Sequence, residues 1–239
     1  MNIEICANSY QSAINAAEAG ADRIELCSEL ALGGITPSYG LLKKVLSDLN
    51  IPVRVLIRPR SGDFTYTDAE FDIMKENIKL CKELGVDGIV SGVLHLNNSI
   101  DLKRTQELVV LAQPMHFTFH RAFDWVKKPL EELQKLSATG VKSILTSGQS
   151  ATAIDGIAAL SEWNKATRMT IIPGGGIHAG NIQSFQEYGF SDVHFSASES
   201  IQTIERPQIS MQSTRHFDET RITTSAIQKI KACIALLSK

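Results

Sequence analysis

Apolar stretches of strand length alternate with longer amphipathic stretches along most of the chain. This alternation is typical of parallel α/β folds, in which each strand is followed by a helix that packs against the sheet. The apolar stretches predict eight strands, at about residues 3–8, 23–27, 53–58, 88–93, 116–121, 143–147, 170–174 and 192–197.

A glycine recurs shortly before every second predicted strand. Glycine at the end of a helix adopts the left-handed conformation without steric cost. The repeat therefore indicates four βαβα units, which predict a single (β/α)8 barrel domain over residues 1–239. An open doubly wound sheet is the alternative, although such a sheet does not require eight strands. The four glycines are Gly20, Gly85, Gly140 and Gly189, in "AGADRIEL", "LGVDGIVS", "TGVKSILT" and "YGFSDVHF".

Helix starts agree with this pattern. Thr36 is expected to cap a helix that begins at Pro37, and Thr67 with Glu70 has the spacing of a capping box. A last helix is expected in "TTSAIQKIKACIALL". Before it, a polar segment at about residues 200–222 has no clear period. This segment could cover the barrel mouth, contact another subunit of a homo-oligomer, or be disordered.

Strand alternation also predicts which side chains enter the barrel, because successive side chains of a strand face opposite sides. With the apolar positions facing the helices, the similar sequences "IEIC" and "IELC" send their Glu and Cys inward. Buried charges are costly unless they pair, reach water or contact a ligand. The inward set is Glu4, Cys6, Asn8, Arg23, Glu25, Cys27, Arg54, Leu56, Arg58, His116, Thr118, His120, His194 and Ser196.

Composition and charge narrow the classes of partner. A net charge of −2 gives no broad basic face, so we expect no nucleic-acid partner. The first residues, "MNIEICANSY", lack the basic and apolar regions of a signal peptide, and no apolar run reaches the roughly 20 residues of a membrane span. We therefore expect a cytoplasmic protein without membrane contact, with its four separated cysteines reduced.

Glycines and serines follow the last two predicted strands, where barrel enzymes often bind phosphate. Successive glycine N–H groups can hold an anion without a basic side chain. The other interpretation of these glycines is a tight turn between strand and helix. The candidate anion-binding residues are Gly174, Gly175, Gly176, Ser196 and Ser198.

Two arginines follow the third predicted strand in "IRPRSGDF". Guanidinium groups bind carboxylate or phosphate in a bidentate manner. The alternative is internal pairing with Glu4 and Glu25. We expect Arg58 to lie near Glu25 and Arg60 to be free for a ligand.

Acidic and basic candidates for catalysis meet at the same end of the barrel. His120 and Asp124 follow the fifth predicted strand in "FHRAFD", and Glu25 lies across the barrel from them. Histidine commonly transfers protons near neutral pH, so His120, Glu25, Arg58 and Asp124 form a hypothetical catalytic set. The alternative for His120 is a hydrogen-bonded core residue.

The thiols of Cys6 and Cys27 are expected on neighbouring strands, facing the same way. Two such thiols suit Cu(I), which prefers soft ligands. The alternative is packing, because a buried free cysteine behaves as a small apolar residue.

Six longer motifs occur in one order over roughly residues 1 to 200: "ADRIELCSELALGGITPSYG", "IRPRSGDFTYTDAE", "TFHRAFD", "LTSG", "PGGGI" and "HFSAS". In these motifs the chain resembles the CutC family of copper homeostasis proteins. The resemblance implies a (β/α)8 barrel in the cytosol. It also implies copper handling, with Cys6 and Cys27 matching thiols proposed as Cu(I) ligands.

Two functional hypotheses follow. The first, implied by the resemblance, is Cu(I) binding in copper homeostasis. The second, from the residues themselves, is a barrel enzyme that uses acid–base chemistry on a small phosphate- or carboxylate-bearing substrate. Binding of such an anion without catalysis is a third possibility, because the fold alone specifies no reaction.

Overall fold

The computed structural model describes residues 1–211 and 218–237 and shows a (β/α)8 barrel. Within these residues, eight parallel strands alternate with eight helices. The strands are β1 (Asn2–Ala7), β2 (Arg23–Leu26), β3 (Val53–Leu56), β4 (Gly88–Ser91), β5 (His116–Phe119), β6 (Ser143–Thr146), β7 (Thr170–Pro173) and β8 (Asp192–Phe195). The helices are α1 (Tyr10–Ala19), α2 (Tyr39–Asp48), α3 (Asp68–Leu84), α4 (Leu102–Ala112), α5 (Pro129–Ser137), α6 (Ile157–Ala166), α7 (Ile182–Glu187) and α8 (Ile227–Leu237).

Strand pairing runs from β7 down to β1 and then to β8. A bridge between Gly174 and His194 joins the two ends, so the barrel is nearly closed. All eight strands coincide with those expected from the sequence, and the barrel is confirmed. No helix in the described residues is both long and apolar enough to span a membrane.

Glycines end helices as expected. Gly20 and Gly85 have φ angles of 89° and 74°, and their N–H groups donate to carbonyls of the last turn of α1 and α3. Thr67 and Glu70 form the predicted capping box of α3. The expected start of α2 was wrong: the helix begins at Tyr39 with Ser38 as its cap.

Thr36 has another task, which explains the later start of α2. Its hydroxyl accepts the N–H of Arg58 at 2.8 Å and donates to the carbonyl oxygen of the same residue at 3.1 Å. Residue 36 therefore belongs to extended chain lying beside the end of β3.

The polar segment before the last helix forms two further strands at its ends. Strands β9 (Ser198–Gln202) and β10 (Arg221–Ser225) pair antiparallel, with Ile201 opposite Ile222. Asn15 of α1 donates to the carbonyl of Ser225 at 2.7 Å, which fixes the base of this ribbon to the barrel. Strands were not expected here because the segment lacks alternation, and residues 212–217 of it lie outside the described residues.

The apolar core lies between the strands and the helices. Outward-facing strand residues such as Ile5, Ile24, Val55, Ile89 and Phe117 are buried there. The barrel interior is polar instead, as the alternation predicted, and its lower part contains an ion-pair cluster.

Glu4 is the centre of this cluster and is fully buried. One carboxylate oxygen accepts Arg23 Nε at 2.5 Å and Arg54 Nη1 at 3.3 Å, while the other contacts His194 Nδ1 at 2.8 Å. Arg23 also pairs with Asp192 at 2.7 Å. Burial opposes ionisation, but the hydrogen bond from His194 and the positive charges of His194 and both arginines hold the pKa of Glu4 far below its usual range.

We expect Glu4→Gln to lower the free energy of unfolding by about 3 kcal/mol, because losing one partner leaves buried positive charges uncompensated. Urea denaturation at pH 7 measures the change. Glu76→Gln is the matched control, since Glu76 is exposed and pairs with Lys79 on the surface; it should change stability by less than about 0.5 kcal/mol. Equal effects of the two substitutions would contradict the role of the cluster.

Candidate functional site

A cavity of about 500 Å³ opens at the carboxyl ends of the barrel strands. This is the end at which barrel enzymes bind their substrates. Its wall combines charged, polar and apolar side chains from both ends of the chain. The lining residues are Cys6, Glu25, Leu30, Gly33, Leu56, Arg58, Phe64, His120, Arg121, Leu145, Gly175, Gly176, Ile177, His178, His194, Phe195, Ser196, Ala197, Ser198 and Lys229.

The inner wall contains Cys6, Glu25 and His194, all buried. One potential ligand atom from each lies within 4.8 Å of the other two. His194 Nδ1 is 4.0 Å from Glu25 Oε2, and the Sγ atoms of Cys6 and Cys27 are 3.7 Å apart. Glu25 Oε2 itself has no hydrogen-bond partner within the described part of the chain.

Burial and neighbouring charges shift the pKa values of these groups. Burial raises the pKa of Glu25 to about 7, the charge of Glu4 adds to this, and His194 and the two interior arginines oppose it. The hydrogen bond to Cys27, together with burial, raises the pKa of Cys6 well above its usual value. Burial lowers the pKa of His194, yet the charge of Glu25 and hydrogen bonds to Cys6 and Glu4 leave it well above 6.5.

The outer wall carries Arg121, which follows β5. Its Nε donates to Asp124 at 2.7 Å and its Nη2 donates to the Ser147 hydroxyl at 2.9 Å, so the guanidinium is held in one orientation. Nη1 lies 3.4 Å from the position that a Cβ atom on Gly175 would occupy. A side chain at that position, where φ is +113°, would crowd the guanidinium and strain the backbone.

The other predicted anion-binding residues, apart from Gly174, share the cavity with Arg121. Gly175, Gly176, Ser196 and Ser198 line the cavity, as does Lys229 of α8, whose ammonium donates to the Ser198 carbonyl at 2.6 Å. Gly174 does not line the cavity. A Cβ atom there would lie 2.5 Å from Leu145 Cδ1, so this glycine provides space for packing.

Arg58 lines the cavity but does not pair with Glu25, and the expectation of that pair was wrong. Its guanidinium donates to the carbonyl oxygens of Leu32, Gly34 and Gly62 at 2.7–2.9 Å. These carbonyls belong to loops that fold over the end of β3. Arg58 therefore organises the loops at the mouth.

Arg60 is engaged elsewhere, so the expectation that it is free for a ligand was also wrong. Its Nε donates to Glu70 at 2.5 Å, and its Nη2 donates to Asp63 and to the Thr65 carbonyl. Glu70 lies in the first turn of α3, so this ion pair holds the Arg60 side chain against the helix start, and Arg60 does not line the cavity.

His120 lines the cavity and is only 5% exposed. Burial, together with the charge of Arg58, lowers its pKa to about 3. Nδ1 accepts the N–H of Ala122 at 3.3 Å, so the neutral imidazole carries its proton on Nε2. In this state His120 is a neutral part of the cavity wall, and its expected role in proton transfer stays a prediction.

Asp124 does not line the cavity. Its carboxylate accepts hydrogen bonds from Thr146, from the N–H and hydroxyl of Ser147, and from Arg121. The carboxylate is thus engaged by protein donors, and a catalytic role for Asp124 stays a prediction. Asp124 orients Arg121.

Three residues of the site were not selected from the sequence. His194 was placed inside the barrel by alternation, and its bond to Glu4 could have been inferred from the excess of interior charge. Arg121 was visible beside His120, but only the structure shows its fixed orientation. Lys229 comes from the last helix, and no local pattern indicates that it reaches the cavity.

Comparison with known proteins places the chain in a family. A family model described as "CutC family" matches residues 1–199. A family protein CutC of Salmonella agona is 44% identical over 196 residues, which cover 82% of this chain and 79% of that protein. The resemblance to the CutC family expected from the motifs is confirmed.

Solved structures agree on the fold. A crystal structure of CutC from Streptococcus agalactiae, named as a copper homeostasis protein, has a TM-score of 0.77 and 36% identity, covering 82% of this chain and 98% of that one. Thiamine phosphate pyrophosphorylase from Pyrococcus furiosus has a TM-score of 0.59 at 11% identity, covering 99% and 95% of the two chains. This second likeness shows the barrel fold alone.

We expect His120 to make stability fall in acid. Its folded pKa of about 3 lies below the unfolded value of about 6.5, so only the unfolded state gains a proton as the pH drops through 6. The resulting loss between pH 7.5 and pH 5 is about 2 kcal/mol. Urea denaturation of wild type and His120→Gln at both pH values gives the free energy of unfolding. The contribution of His120 is the difference between the two proteins in how much this free energy falls from pH 7.5 to pH 5, that is, in its slope against pH. Equal slopes would show that His120 does titrate in the folded protein.

Proposed function

We propose that this chain, which belongs to the CutC family, binds a small anionic molecule in the cavity at the carboxyl ends of the barrel strands. The observation that carries the proposal is the guanidinium of Arg121, fixed by Asp124 and Ser147 against the Gly175 backbone. A cation held in one orientation loses little freedom when it binds a carboxylate or a phosphate.

Backbone and hydroxyl donors support the same ligand chemistry. The N–H groups of Gly176 and Ile177 donate to no acceptor within residues 1–211 and 218–237, and both residues line the cavity with Ser196. Unpaired amides on successive residues are typical of anion sites. Arg121 thus takes the place expected of Arg60, and Lys229 adds a second positive charge.

The size and the apolar part of the wall define the rest of the ligand. About 500 Å³ is within the usual range for small-molecule sites. Leu56, Phe64, Leu145 and Phe195 provide apolar surface beside the donors. A compact organic acid or phosphate ester fits this combination of volume, donors and apolar surface. The lining residues of the cavity do not by themselves assign a reaction.

Inorganic phosphate and phosphoglycolate are suitable probes for isothermal titration calorimetry. We expect Arg121→Gln to weaken binding of both by about tenfold, which corresponds to roughly 1.4 kcal/mol for a lost charge-assisted contact. Arg60→Gln is the matched control, because Arg60 is an arginine of the same mouth that does not line the cavity; it should leave affinity unchanged. Equal losses in both variants, or no binding to wild type, would remove the anion proposal.

Cu(I) binding is a second candidate, favoured by the 3.7 Å separation of the Cys6 and Cys27 sulfurs. Both thiols are buried in a small cluster with Leu56 and Val90; Cys6 also lines the cavity, whereas Cys27 is fully buried. Soft sulfur ligands suit Cu(I), and the reducing cytoplasm in which we place the protein would keep both cysteines as thiols. The donor set therefore fits a copper ion, which would displace the protons of both thiols as it binds. A role in copper homeostasis would follow from such binding.

We expect Cys6→Ser and Cys27→Ser each to weaken Cu(I) binding by at least about tenfold, since even outer-shell partners of a metal contribute about 10–100-fold. Competition with a chromophoric Cu(I) chelator under anaerobic conditions measures the affinity. Cys81→Ser tests for nonspecific thiol binding, because Cys81 is a buried thiol on α3. Unchanged affinity in the first two variants would exclude the thiol pair.

A further inference from the structure

We propose that Cys6, Glu25 and His194 form a binding site for a divalent transition metal ion such as Zn²⁺, with a coordination position open to the cavity. Within residues 1–211 and 218–237 they are the single group of three His, Cys, Asp or Glu side chains whose ligand atoms come within 4.8 Å of one another. One thiolate, one imidazole and one carboxylate are all ligands that zinc accepts.

The unpartnered oxygen of Glu25 is the first independent indication of a ligand. Glu25 is only 4% exposed, yet its Oε2 has no hydrogen-bond donor in the described structure, and His194 Nδ1 approaches it only to 4.0 Å. A buried carboxylate oxygen without a partner is costly. A bound cation would supply the missing interaction at that oxygen.

The setting of His194 is the second indication. Its Nδ1 is held at 2.8 Å by Glu4, which Arg23 and Arg54 hold in turn. Metal-binding histidines commonly use one ring nitrogen in this way, with a carboxylate fixing the ring and increasing its basicity. Glu4 and Asp192 form ion pairs with the two arginines. These pairs reduce the repulsion between the arginines and a bound metal ion.

Only a small adjustment is needed for coordination. Zinc bonds of about 2.0–2.3 Å in a tetrahedral arrangement place ligand atoms about 3.3–3.8 Å apart. One ligand atom from each residue lies within 4.8 Å of the other two, so shifts of about 1 Å would bring atoms at that separation to these distances; with Nδ1 held by Glu4, His194 would coordinate through Nε2. Side-chain rotation can provide shifts of that size without moving the strands.

The location of the group explains why one position stays open. Cys6, Glu25 and His194 all line the cavity, so an ion among them would face the cavity from its inner wall. Three protein ligands and one free position are the arrangement of catalytic rather than structural zinc. In this state Glu25 is a ligand and not a proton carrier, and the free position would accept water or an oxygen of a bound molecule.

This site differs from the Cu(I) thiol pair in its ligands. Cys27 is not a member of the group, whereas Glu25, a hard oxygen ligand, is. The Cu(I) pair therefore predicts that substitution of Cys27 weakens binding of its metal and that substitution of Glu25 does not. The Zn²⁺ site predicts the reverse. Zinc binding is also independent of the proposed anion site, because it is measured without any anionic ligand.

The test is Zn²⁺ titration of the full chain against a chromophoric chelator, at pH 8 because the ion displaces protons from its ligands. We expect Cys6→Ser, Glu25→Gln and His194→Gln each to bind Zn²⁺ at least about 100-fold more weakly than wild type. Cys27→Ser and Cys81→Ser are matched thiol controls and should bind as wild type does. Circular dichroism verifies that each variant is folded.

Co²⁺ substitution provides a readout that does not depend on affinity. We expect the cobalt-loaded wild type to show a thiolate-to-cobalt charge-transfer band that Cys6→Ser lacks and Cys27→Ser retains. If His194→Gln does not fold, the cobalt spectrum and the near-isosteric Glu25→Gln decide the question. Zn²⁺ affinity that is unchanged in Glu25→Gln, or lost in Cys27→Ser, would overturn the proposal. Neither result would affect the phosphate titrations of Arg121→Gln.

Discussion

The buried carboxylate of Glu4 is the interaction on which the barrel depends. Its partners Arg23, Arg54 and His194 come from β2, β3 and β8, so one residue of β1 connects four strands. Such a group is tolerated inside a protein only when its hydrogen bonds and charges are satisfied together. The register of the four strands is therefore coupled to a single set of ion pairs.

The ion-pair cluster around Glu4 also determines where the residues of the inner cavity wall lie. Glu4 lies opposite Arg23 across β1 and β2, and two residues further along each strand Cys6 lies opposite Glu25. Because side chains repeat every second residue on one face of a strand, fixing the first pair fixes the second. His194 belongs to both the ion-pair cluster and the inner wall, since it contacts Glu4 and lines the cavity. Stability and site geometry thus have a common origin.

The strands and the inward-facing residues could be predicted from the sequence because both depend on short-range periodicity. Glu4, Cys6, Glu25 and His194 all followed from alternation alone. The partners of Arg58, Arg60 and Asp124 could not be predicted, because they depend on how loops fold over the strand ends. The lowered pKa of His120 could not be predicted for a related reason. Its pKa reflects burial and the charge of Arg58, and neither is visible in the residue type.

The two parts of the chain contribute differently to the cavity. Cys6, Glu25, Arg121, Gly175 and His194 lie within residues 1–199, which the family model matches. Lys229 comes from α8, outside that range, and its ammonium is bonded to the first residue of β9. Lys229 of the last helix and the first residue of the ribbon therefore lie together at the rim of the cavity. The inner wall is built entirely by the matched region. In the described chain the Lys229 ammonium is the only charge on the cavity wall from beyond residue 199, so α8 adds to the rim a positive charge that the matched region does not supply.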